Sequence, residues 1–159
     1  MERVYLATGS NMGDKAANLA KALELIELYV GNLVQASSIY RTAAWGKEDQ
    51  ADFLNQVMAI DTHLAPEALL LAVMEIEQQM GRERRVRWGE RLIDIDILFY
   101  GTMISHSQRL TIPHPFIQER NFVLQPLLEI APDFVHPLLQ KNIRELAAAC
   151  PDPLAVERI

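Results

Sequence analysis

The segment RLIDIDILFYG, residues 91–101, carries two aspartates, Asp94 and Asp96, inside an aliphatic run. Alternate residues of a strand share a face, so the two carboxylates stand side by side, opposite Ile93, Ile95, Ile97 and Phe99. Aspartate is disfavoured in strands, and like charges on one face repel unless a cation lies between them. Paired carboxylates suit hard divalent cations, and Mg²⁺ in particular is held by one or two carboxylates plus substrate phosphates. Asp-x-Asp alone is a weak signal, since a solvated strand face would explain it equally. The stretch RERRVRWGER, residues 82–91, changes that balance with Arg82, Arg84, Arg85, Arg87 and Arg91. Guanidinium groups pair with phosphate oxygens through forked hydrogen bonds. Carboxylates and guanidiniums this close together point to metal–polyphosphate chemistry.

A second set of residues is suited to a flat heterocycle. Phe53 and Asn55 share a strand face, while Phe122, Trp45 and Trp88 lie in or beside loops. Aromatic faces sandwich a planar ring, and an amide matches the donors and acceptors on its edge. Core packing is the commoner fate of phenylalanine and remains open for Phe53 and Phe122. His114, between the prolines of IPHPF, could contact a phosphate or a base, or be a plain loop residue. Glu77 falls in the last turn of a helix beside the arginine run. No histidine or cysteine pair has zinc spacing, and Cys150 reads as a small hydrophobe. GSNMGDK lacks the Walker A spacing, so a nucleotide would be held by side chains and metal.

These groups need elements to position them. RVYLATGS reads as a strand ending in a Gly-Ser-Asn turn. Asp14 is an N-cap for a helix marked by Leu19, Leu23, Ile26 and Val30, with Gly31 as its stop. LVQASSIYRT is a second strand and FLNQVMAID a third. Pro66 opens a second helix with the stripe Leu69, Val73, Ile76 and Met80, ended by Gly81. The Asp-bearing strand follows. The order β-α-β-β-α-β is the ferredoxin-like arrangement, an α+β fold with an antiparallel sheet and both helices on one face. After Gly101 come a hairpin-like segment, the TIPHP loop and helical stretches near 117–130 and 142–149. Residues 151–159 read as a loose tail.

The chain has 159 residues, half of them hydrophobic, and a net charge of −6. That fits a single domain over residues 1–159 and argues against a nucleic-acid binder. Its apolar runs are too short to span a bilayer, and the N-terminus lacks a secretory h-region. One cysteine excludes an internal disulfide and suits a reducing cytosol. The residues by themselves leave several classes open: a kinase, a nucleotidyltransferase or a regulatory module that binds a nucleotide.

RWGERLIDIDIL resembles the signature of the 6-hydroxymethyl-7,8-dihydropterin pyrophosphokinases of folate biosynthesis. TGSNMGD, YRT, FLN, GRERRVRWG, RLTIPHP and RNFVLQPLLEIAP follow the family's order over roughly residues 3–135. Phe116 stands where many members carry arginine, and TAAWG replaces a proline-containing stretch. The resemblance implies transfer of a pyrophosphoryl group from ATP to the pterin hydroxymethyl oxygen, with release of AMP. It implies that Asp94 and Asp96 bind two Mg²⁺ ions, with Asp96 also a candidate base, and that Arg82 and Arg91 stabilise charge during transfer. Thr42, Ala43, Trp45, Phe53, Asn55, Trp88 and Phe122 would bind the pterin. Glu77, Arg82, Arg84, Arg91, Ile97, Arg109, Thr111, His114 and Arg120 would bind ATP. The implied partners are these small molecules, with no nucleic acid or membrane, and the expected state is a cytosolic monomer.

Overall fold

The computed structural model describes residues 1–43, 52–81 and 92–159, and the structural statements below concern these. Strand β1 (Glu2–Ser10) leads into α1 (Lys15–Tyr29), followed by β2 (Gly31–Ala36), β3 (Tyr40–Thr42) and β4 (Phe53–Thr62). Helix α2 (Pro66–Gln79) precedes β5 (Asp94–Tyr100), and a small hairpin pairs β6 (Ser105–His106) with β7 (Thr111–Ile112). The chain continues through a 3₁₀ turn (Ile117–Glu119), α3 (Asn121–Ile130), α4 (Ile143–Ala148) and β8 (Val156–Arg158). The sheet order is β5-β1-β4-β3-β8, with β2 also paired to β4, and every pairing is antiparallel. The first five strands thus follow the ferredoxin-like order, with the expected second strand divided into β2 and β3.

Local chemistry explains the helix ends. Asp14 Oδ1 accepts the Ala17 N–H at 3.1 Å, capping α1 as expected. Pro66 sits in the first turn of α2, where its missing N–H has no partner to lose. Gly81 adopts φ +77 after that helix, a conformation costly for other residues. Gly31 follows the α1 cap residue Val30, as expected of a helix stop, and also begins β2. Its missing Cβ matters because a side chain there would collide with the Asp61 carbonyl on β4.

Two cores sandwich the sheet. On one face α1 and α2 bury Leu19, Ile26, Leu69, Val73 and Ile76 against Val4, Leu6, Met58, Ile60, Ile95 and Ile97. On the other, α3 and α4 bury Val123, Leu124, Leu127, Ile143 and Leu146 against Tyr5, Val57, Ala59, Leu98 and Phe99. Phe99 therefore does not share the face of Ile93, Ile95 and Ile97. Tyr5 pairs with Phe99 and Leu6 with Ile97, so Leu98 is an extra residue that reverses the alternation. Its carbonyl, displaced from the ladder, accepts the His114 N–H at 3.0 Å.

Two other expectations are corrected. LVQASSIYRT is not one strand, because the ladder breaks at Ser37, whose N–H donates to the Val57 carbonyl while its Oγ accepts the Val57 N–H. The terminal residues are not wholly loose: β8 pairs with β3, matching Tyr40 to Arg158 and Thr42 to Val156.

His136 is 2% exposed, packs edge-on against Phe99 and accepts the N–H groups of Leu138 and Leu139 on Nδ1. Burial holds its pKa below the usual 6.5, partly offset by a hydrogen bond with its own backbone. The folded state therefore favours the neutral ring, and the unfolded chain takes up the proton first as the pH falls. Stability is expected to be retained above pH 6.5, to decline below it, and to level off beneath the folded-state pKa. Melting temperatures between pH 7.5 and 5 should show a smaller acid-side drop for His136→Gln than for the parent; equal slopes would contradict this assignment.

Candidate active site

Strand register gathers the chemistry onto the face that also carries α3. Asp94 pairs with Gly9, Gly9 with Asn55, and Asn55 with Tyr40, forming one row across four strands. The next row is Asp96, Ala7 and Val57. From strand rise and spacing, the two aspartate Cα atoms lie roughly 7 Å apart, and Asp94 and Asn55 roughly 10 Å apart. Gly9 and Ala7 leave the floor between them open. A Cβ on Gly9 would stand 3.0 Å from Asn55 Oδ1, so the absence of a side chain there is part of how Asn55 fits. The expected Gly-Ser-Asn turn is corrected on this point: Gly9 and Ser10 are still in β1.

A cavity of about 210 Å³ sits on this floor. Thr42, Ala43, Phe53 and Asn55 form one side, Asp94 and Asp96 another, and Arg120 and Phe122 a third. Asn55 is 7% exposed and donates through Nδ2 to Thr42 Oγ1 at 2.8 Å, which fixes the orientation of its amide. Asp94 is half-buried and Asp96 exposed. Behind Asn55, Glu129 on α3 accepts from the Tyr40 hydroxyl at 2.7 Å and from the Ser38 N–H. Burial, reinforced by that carboxylate, pushes Tyr40 up to about 12, so it remains a proton donor at neutral pH.

The expected helix over 117–130 is interrupted at Arg120, whose extended backbone (φ −130, ψ 103) separates the 3₁₀ turn from α3. That break puts Arg120 on the cavity wall, its guanidinium 5.1 Å from the Phe116 ring centroid and 5.7 Å from that of Phe122. Such contacts steady a cation without neutralising it. His114 lies within the fields of Asp96 and Arg120. Burial, the largest influence, lowers its pKa, while Asp96 raises it and Arg120 lowers it.

Glu77 is not a solvated helix charge. It is 7% exposed, and Oε2 accepts the Ile95 N–H at 2.8 Å, tying the end of α2 to the residue between the aspartates. Ile97 is buried among the residues beneath α1 and α2. Arg109 and Thr111 are exposed on the β6–β7 hairpin and do not line the cavity. Arg82, Arg84, Arg85, Arg87, Arg91, Trp45 and Trp88 lie outside the described residues. The cavity also has walls not singled out in the sequence: Ala7, Thr8, Gly9, Gln56, Val123 and Leu154. Strand alternation from Phe53 and Asp94 could have found Ala7 and Gly9; nothing local marks Leu154.

Paired carboxylates thus stand beside an amide- and aromatic-lined cleft on an antiparallel α+β sheet. The model of the family described as 7,8-dihydro-6-hydroxymethylpterin-pyrophosphokinase (HPPK) matches residues 5–132. A 2-amino-4-hydroxy-6-hydroxymethyldihydropteridine pyrophosphokinase of Methylorubrum extorquens is 50% identical over 161 residues, spanning 100% of this chain and 99% of that protein. One from Aquifex aeolicus is 42% identical over 145 residues, covering 91% and 90% respectively. The crystal structure of wild-type Plasmodium falciparum HPPK-DHPS with STZ-DHP is similar in fold, with a TM-score of 0.75 at 18% identity. That match covers 92% of this chain and 43% of the Plasmodium chain. The chain belongs to the 7,8-dihydro-6-hydroxymethylpterin-pyrophosphokinase family.

Proposed function

We propose that this cavity is where the family's reaction takes place: pyrophosphoryl transfer from ATP to 6-hydroxymethyl-7,8-dihydropterin in folate biosynthesis. The observation that carries the reading is the single cavity shared by Asp94, Asp96, Asn55 and Phe122. A bicyclic pterin lies between Phe53 and Phe122, with Asn55 and the chain at Thr42 and Ala43 reading its edge. Its hydroxymethyl arm then points along the sheet floor towards the aspartates. The nucleotide approaches from the side of His114 and Arg120, with the arginines of residues 82–91, Arg109 and Thr111 as its further contacts, while Glu77 and Ile97, buried on the α1–α2 face, support β5 from behind.

Asp94 and Asp96 are the residues that would hold Mg²⁺. Their all-oxygen donor set, on one open strand face, fits a hard cation that also keeps phosphate oxygens in its shell. When bound, the metal supplies neutralisation of the triphosphate charge. The pterin oxygen forms a bond to the β-phosphorus, the bond from that phosphorus to the α–β bridging oxygen breaks, and AMP leaves with the bridging oxygen. The hydroxyl proton passes to a base, for which Asp96 is the candidate. Arg82 and Arg91 offset charge on the transferring group, and Trp88 with Arg84 helps to exclude water. The same reading makes the protein a cytosolic monomer.

Metal dependence is directly testable. Protein dialysed against EDTA is expected to lose turnover and regain it on titration with Mg²⁺, with Ca²⁺ a poorer substitute because it favours longer bonds and more ligands. Full activity in the presence of excess chelator would contradict the carboxylate assignment.

A further inference from the structure

The family match ends at residue 132, yet the chain beyond it returns to the cavity. Asp152 begins the return. Its Oδ2 accepts the Asn121 N–H at 3.1 Å, satisfying an otherwise open donor at the start of α3, and its backbone carbonyl accepts from Asn121 Nδ2 at 3.3 Å. The other carboxylate oxygen accepts the Leu154 N–H at 3.0 Å, which turns the chain and sets Leu154 into the cavity wall. Two residues later, Val156 pairs with Thr42, and β8 continues to a hydrogen bond from the Ile159 N–H to the Ile39 carbonyl at 3.0 Å. Glu157 meets Arg41 at 2.9 Å, and Arg158 lies 3.9 Å from Glu129.

These contacts hold two walls at once. One end of the segment fixes the start of α3, which carries Phe122; the other fixes β3, which carries Thr42. Between the two anchors stands one half-buried apolar side chain facing the space they enclose.

We propose that Leu154 is a substrate-contacting residue that packs against the bound dihydropterin and helps set affinity for it. The inference rests on the cavity being the pterin site. Leu154 completes the apolar wall next to Thr42 and Ala43, while Asp152 acts as a positioning residue through Asn121. Dihydropterin binding depends on Leu154, and nucleotide binding does not.

The test is fluorescence titration with 6-hydroxymethyl-7,8-dihydropterin, and separately with ATP, for the parent, Leu154→Ala, Leu154→Met and Asn55→Ala. Leu154→Ala should weaken pterin binding roughly tenfold, leave ATP binding unchanged, and be largely rescued by methionine. Asn55→Ala reports on the cavity itself. If it weakens pterin binding while Leu154→Ala does not, the role of Leu154 is refuted and the cavity assignment stands. If Asn55→Ala also leaves pterin binding intact, both readings fall. Equal losses for pterin and ATP would make Leu154 structural and overturn the proposal. Should the alanine variant not fold, Leu154→Val carries the same comparison, with a loss of roughly threefold expected.

Discussion

Asp96→Ala is expected to lower kcat on the order of 10³-fold while leaving the melting temperature within about 2 °C of the parent. The two halves of that result have different origins. Asp96 is exposed and shares a strand face with Asp94, so the sheet gains no packing from it, and removing one of two like charges costs the fold little. Under the proposed function, catalysis by contrast loses a metal ligand and the candidate base together. Asp96→Asn separates them: if metal binding is kept and turnover still falls, the proton-accepting role is supported, whereas a normal rate with metal bound removes it. Asp94→Ala should match the loss of Asp96→Ala. Near-parental kcat in both alanine variants would refute the site.

The second large effect is expected at Phe122. It stands at the start of α3, packs against the core below and faces the cavity above, with Arg120 alongside. Stacking of a base-like ring on an aromatic face contributes ~1–3 kcal/mol, so Phe122→Ala should weaken pterin binding roughly 10- to 100-fold. Phe122→Tyr keeps the face and should bind within about threefold of the parent. ATP binding should change much less, because Arg120 keeps its second ring contact with Phe116 at 5.1 Å. Equal affinity for pterin in the alanine variant, measured on folded protein, would show that this ring is core and not a binding wall.

Much of this arrangement was legible in the sequence, and the exceptions have physical causes. The aspartate pair, the Phe53–Asn55 face and both principal helices follow from side-chain alternation, helical spacing and capping, all local rules. Phe99 does not, because one extra residue at Leu98 reverses the alternation without any mark in composition. Gly9 reads locally as a turn residue; only the approach of Asn55 from β4 explains why a strand needs it. Glu77 looks like a surface charge until β5 brings the Ile95 N–H to it. The C-terminal strand was hidden for a different reason. PDPLAVERI has two prolines and little periodicity, and its order comes from partners far away in sequence, Asn121 on α3 and Tyr40–Thr42 on β3. In each case the missing information is tertiary.

The most direct measurement is the identity of the nucleotide released when the purified protein is incubated with ATP, Mg²⁺ and 6-hydroxymethyl-7,8-dihydropterin. AMP formed one-for-one with pterin diphosphate, and only when metal and pterin are both present, is the predicted result. ADP or free pyrophosphate in place of AMP would mean that the bond to the β-phosphorus is not the one exchanged, and would contradict the account.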